Sequence, residues 1–201
     1  MIRILIVTLL ILSQTLYGQQ GTFKGYVTAG TNLSQIEGDS VAGFNKWGFV
    51  GGIGTYFMFL PKFSANLEIN YSQRGASGVV YDESNQGLYH RTIYTDYIEV
   101  PIMVNYHDKN IAKFGAGVVV SSLLNTSQRY NHVLIDANEG RVKDVYKDME
   151  VGMVFSATFN ILRHFGFNMR FVHSIMPINK NNLYGEDQFH SFLSVRGMYI
   201  F

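Results

Sequence analysis

The chain has 201 residues, a formal net charge of +1 and no cysteine, which excludes disulfides, thiolate metal centres and lipidation at a cysteine and leaves no electrostatic footprint for nucleic acid. Hydrophobic residues make up 47% and aromatics 14% of the chain. Beyond the N-terminus no apolar run approaches the roughly 20 residues of a membrane helix, so the apolar content is spread at short period.

Met1 to Gly18 carries Arg3, the apolar run Ile4 to Leu12 and a small, polar end. That is the layout of a secretory signal peptide; the run is too short for a transmembrane helix. Cleavage after Gly18 is expected, leaving 19–201 as a single barrel domain.

Reading for alternation of apolar and polar residues predicts eight strands: Phe23 to Leu33, Lys46 to Leu60, Phe63 to Ser72, Tyr94 to His107, Ala112 to Leu124, Met149 to Ile161, Phe165 to Ile175 and Phe189 to Phe201. Each reaches the roughly 9 to 11 residues of a tilted membrane strand. The connections at Pro61-Lys62, Asp108 to Ile111 and Leu162 to His164 are tight, whereas Ser34 to Asn45, Gln73 to Ile93, Asn125 to Asp148 and Met176 to Gln188 are long and polar. Short and long alternate strictly. The pattern points to an all-β fold, an eight-stranded antiparallel up-and-down transmembrane β-barrel with short periplasmic turns, long extracellular loops and both termini periplasmic.

The faces follow strand by strand. In the third strand Phe63, Ala65, Leu67, Ile69 and Tyr71 alternate with Ser64, Asn66, Glu68, Asn70 and Ser72; in the fourth, Ile98, Val100, Ile102, Val104 and Tyr106 alternate with Tyr97, Glu99, Pro101, Met103 and Asn105. Apolar sets this bulky overfill a narrow interior, so they are placed outward against lipid. A lipocalin-like soluble barrel with the faces exchanged is the alternative. Trp47, Tyr56, Phe57, Phe59, Phe63, Tyr71, Tyr94, Tyr106, Tyr199 and Phe201 fall near strand ends, where an interfacial girdle lies. Pro101 breaks the pattern and is read as a bulge that re-aims Glu99. Tyr199 and the terminal Phe201 close the last strand and are assigned as the signal read by the barrel-assembly machinery.

The inward set contains Lys24, Glu68, Glu99, Lys113, Glu150, Arg170 and Arg196, both signs in near balance. Pairing across the lumen is the structural reading. Carboxylate acid/base chemistry competes with it but needs a substrate path that nothing in the sequence supplies. The histidines are scattered without ligand spacing and no Gly-x-Ser-x-Gly elbow occurs, so no catalytic, metal or cofactor site is expected. Gly51-Gly52-Ile53-Gly54 lies mid-strand, where close packing explains it better than phosphate binding. In the long loops Val79 to Tyr81 and Leu88 to His90 flank one turn, and Val133 to Ile135 and Val142 to Tyr146 flank another. Both read as outward hairpins that offer an edge for strand addition by another protein.

Several segments carry a family resemblance: Gly30-Thr31-Asn32-Leu33-Ser34 with Gly38-Asp39, Gly43 to Phe49 leading into Gly51-Gly52, Leu67 to Gly75, Asp96 to Ile102 and Phe114-Gly115-Ala116-Gly117. In order and over most of the mature chain they resemble the PorT-like outer-membrane β-barrels of Gram-negative bacteria. The resemblance implies an eight-stranded barrel of the outer membrane and little about activity, although the family's name-giving member serves a secretion system. The expected role is a non-enzymatic barrel, without cofactor, that is a subunit or stabiliser of a larger outer-membrane assembly for secretion, transport or barrel insertion. Its expected partners are outer-membrane lipid and other outer-membrane or periplasmic proteins. The alternative is a stand-alone barrel that binds lipid or an external ligand, or acts on lipid, with Glu68, Glu99, Arg74 and Arg170 as its candidate residues.

Overall fold

The computed structural model describes residues 23–38, 41, 43–82, 87–109, 111–130, 133–135, 145–180 and 187–201. The expected signal peptide and the Asp136 to Gly140 turn lie outside them. Period-two patterning becomes nine strands: β1 (Phe23–Glu37), β2 (Lys46–Leu60), β3 (Phe63–Asp82), β4 (Gly87–Asp108), β5 (Ala112–Tyr130), β6 (Val133–Ile135), β7 (Met149–Asn160), β8 (Phe165–Ser174) and β9 (Phe189–Ile200). Every pairing is antiparallel, and β1 meets β9, so eight strands close a ring while the short β6 hangs from β5. The seam runs from Tyr26↔Ile200 to Glu37↔Phe189. Phe201 extends it by one bond, donating its N–H to the Gly25 carbonyl at 3.0 Å.

Alternation sorts the side chains as expected. Leu67, Ile69, Ile102, Val104, Phe155 and Met169 face outward and are exposed, while Ser64, Glu68, Asn70, Ser72, Tyr97, Glu99 and Asn105 point inward and are buried. An apolar exterior of this extent is the inverse of a water-soluble barrel, and the lipocalin-like alternative falls with it. Tyr56 departs from the expected girdle. It points into the lumen at 9% exposure, against the Tyr26 ring at 6.2 Å between centroids, while Tyr26 itself fills the space beside Gly54, where a Cβ would stand 2.6 Å from its ring.

Pro101 forms no bulge. It pairs with Val119 on β5, and the β4–β5 register shift lies instead between Asp96 and Tyr97. On the other side the β3–β4 ladder runs Leu67↔Ile102, then resumes at Asn70↔Glu99 in the same register. The missing proline N–H therefore costs a rung without displacing the strand.

The strands β3, β4 and β5 have 20, 22 and 19 residues, more than a bilayer needs, and run on past the ring as a flange. β3 leaves β2 after Ser72, and three residues later Gly75 adopts φ +140°, where an added Cβ would stand 1.9 Å from the Ile93 carbonyl oxygen. Gly75→Ala is expected to destabilise the barrel by about 1–3 kcal/mol, read from urea unfolding in lipid. Gly25→Ala, where the nearest atom is 3.5 Å away, is the near-neutral control.

Of the second expected hairpin, residues 136–144 lie outside the described residues. Val133–Ile135 pairs back onto Gln128–Tyr130 of β5, while Val145 and Tyr146 turn into the mouth of the ring and are buried with Ile36, Ala76, Ile93 and Ile178. Burial removes these apolar side chains from water at the mouth.

Candidate functional site

The lumen is filled in layers. At the long-loop end the Val145 to Lys147 and Ile178 to Lys180 segments cross-bond: Lys147 N–H donates to the Ile178 carbonyl at 2.7 Å and Lys180 N–H to that of Val145 at 2.8 Å. Gln188 reaches across to the Gly38 carbonyl at 3.4 Å. Together with the apolar cluster beneath, these segments cap that mouth. Deeper in, Met103, Val119, Val154, Val172 and Phe192 form a second apolar layer.

Between and around these layers lies an ion network. Arg170 grips Glu68 with two parallel bonds, Nη1 to Oε2 at 2.7 Å and Nη2 to Oε1 at 2.6 Å, the bidentate geometry that favours arginine. Tyr26 donates its hydroxyl to the same carboxylate at 2.5 Å, and Asn70 its amide at 3.0 Å. Arg74 is held by Glu99 and by Glu150 at 3.0 Å, and donates to Ser121 at 3.0 Å. Its guanidinium is sandwiched between the Phe192 and Tyr97 rings, 4.2 and 4.7 Å from their centroids. Arg196 lies 3.9 Å from both Glu68 and Glu99, and His190 Nδ1 is 2.9 Å from Glu150. Three arginines thus face three carboxylates, all buried.

Of the charges expected in the lumen, Glu68, Glu99, Glu150, Arg170 and Arg196 meet in this network. Lys24 and Lys113 do not; they line a separate cavity of about 640 Å³ at the short-turn end, with His107 and Arg163. Arg74, a ligand candidate from the sequence, and His190, which the sequence assigns no role, also belong to this network. Both share the inward parity of assigned neighbours, Arg74 with Ser72 and His190 with Arg196, and strand parity alone could have found them. Because Glu68, Glu99, Arg74 and Arg170 are spent on one another beneath apolar layers, they offer no surface to a substrate. At the seam Tyr199 packs edge-on against Phe165 and Phe201, with centroids 5.0 and 5.5 Å away. Both terminal aromatics face outward.

Residues 17–180 match the profile of the outer membrane protein beta-barrel domain. The chain belongs to that family. The short-turn end of this outer membrane barrel is accordingly periplasmic and the capped end extracellular. Among solved structures, neisserial surface protein A is similar at TM-score 0.51 and 9% identity, over 90% of this chain and 99% of that one. Ail, the attachment invasion locus protein of Yersinia pestis, gives 0.48 and 12%, over 91% and 100%, and OprG of Pseudomonas aeruginosa 0.43 and 12%, over 89% and 94%. No curated protein matches the chain.

Proposed function

We propose that this barrel is a non-enzymatic, PorT-like subunit or stabiliser of a larger outer-membrane assembly, and that it recruits its partner by strand addition at the flange. One observation carries the reading. Among the described residues the ladder of β3 beyond Ser72 is with β4 alone, with Asn32 on the Gln73 carbonyl and Val41 against Gly78, and an edge strand of this kind can extend a sheet. Beside that edge Val79, Tyr81 and Leu88 are 59%, 58% and 71% exposed, an apolar surface carried past the membrane span. The filled, capped lumen supports the reading further, because it argues against a pore.

Extraction of the tagged protein from its own outer membrane in mild detergent is expected to retain companions at stoichiometric level. A Val79→Glu/Tyr81→Glu variant, folded by the heat-modifiable gel shift, is expected to lose them. A lone monomer, or companions indifferent to the two substitutions, would sink the proposal.

A further inference from the structure

We propose that the cavity at the periplasmic mouth is a binding site for a phosphate-bearing anion, entered from the periplasm alone. The cap and the ion network close the lumen above it. Below them lies about 640 Å³ of space, walled in part by Tyr56 and Met58, within the size range of small-molecule sites.

Its charge is one-sided. Lys24 enters from β1 and Lys113 from β5, while Arg163 comes from the β7–β8 turn and His107 from the end of β4; no carboxylate is found among the described residues lining the cavity. In the network above every arginine is matched by glutamate, whereas the two lysines and Arg163 have no ion pair among the described residues and Lys24 and Lys113 repel one another. Lys113 is held in place by the Tyr56 ring, its ammonium 4.7 Å from the centroid. His107 is steadied by Ser64, with 2.8 Å between Nε2 and Oγ. Cations converging from three elements suit a multivalent oxyanion better than a single carboxylate, and phosphate carries nearly two charges with several acceptor oxygens.

A phosphate group can come from two sources, a phosphate monoester or inorganic phosphate in the periplasm, or the singly charged phosphodiester headgroup of an inner-leaflet phospholipid. Ile161 and Leu162, 68% and 65% exposed beside Arg163, bring the rim to the leaflet.

The test titrates the detergent-folded barrel with inorganic phosphate against chloride at matched ionic strength, and separately compares retention of phosphatidylglycerol and phosphatidylcholine by native mass spectrometry. Saturable binding of one probe is expected, weakened about tenfold or more in Lys24→Gln/Lys113→Gln and unchanged in Lys62→Gln, which lies on the β2–β3 turn outside the cavity. Binding of inorganic phosphate assigns a soluble ligand; selective retention of phosphatidylglycerol without it assigns the lipid. If the double variant fails to give the heat-modifiable band, Arg163→Gln on its exposed turn carries the same expectation. No saturable binding of either probe, or equal weakening by Lys62→Gln, overturns the proposal.

Discussion

Replacing Arg74 with methionine is expected to lower the stability of the folded barrel by about 3–5 kcal/mol, because it leaves three buried carboxylates facing two arginines in a dry interior. Glu99 and Glu150 both lean on this guanidinium, and neither is exposed by more than a few per cent. Methionine keeps much of the volume between Tyr97 and Phe192, so the loss reports charge more than packing. Adding Glu150→Gln to Arg74→Met is expected to recover much of it, since Arg170 and Arg196 then face the two remaining carboxylates, Glu68 and Glu99. Urea titration in lipid vesicles, followed by the heat-modifiable gel shift, reads both steps. If the double variant is as unstable as the single one, the network is not the source of the loss.

A charge placed on the outer face has a depth-dependent effect. Ile102 stands between Leu67 and Val118 in the ladder, on the lipid side at 53% exposure. Ile102→Arg is expected to cost about 2–4 kcal/mol, the penalty for a cation near the bilayer midplane. Val79 is equally exposed at 59%, but it sits on the flange. Val79→Arg is expected to change stability by no more than about 0.5 kcal/mol. Equal effects at the two positions would mean that the membrane boundary along β3 and β4 is drawn in the wrong place.

The ring itself was legible in the sequence because lipid outside and polar groups inside impose a strict period of two, and because sorted loop lengths fix the direction of every strand. The faces of Leu67, Glu68, Ile102 and Met103 all follow from that. The outward hairpin of Val79 to Tyr81 with Leu88 to His90 was legible, but its continuity with β3 through Gln73 to Gly78 was not, because polar and small residues there fall on both faces and blur the alternation. The cap was missed for a different reason: Val145, Tyr146 and Ile178 find their partners across the mouth and not along the chain. Pro101 needs no bulge because the neighbouring β4–β5 ladder holds the register across the gap. Lys24 and Lys113 were grouped with the lumen charges on parity alone, which says which side of the wall a residue faces but not how deep it lies.

The distribution of the network along the chain bears on how the barrel comes together. Glu68, Arg74 and Glu99 belong to β3 and β4, two anions against one cation; Glu150, Arg170 and Arg196 belong to β7, β8 and β9, one anion against two cations. Each half of the nascent sheet therefore carries an excess of one charge, opposite in sign to that of the other. Neutrality is reached only through bonds such as Arg170 to Glu68, 102 residues apart, and Arg74 to Glu150, 76 apart. Contacts so distant in sequence form late. An unclosed curl of strands entering lipid would bear exposed, uncompensated ions, so the same electrostatics that draws the two halves together also penalises membrane entry before the first strand has met the last.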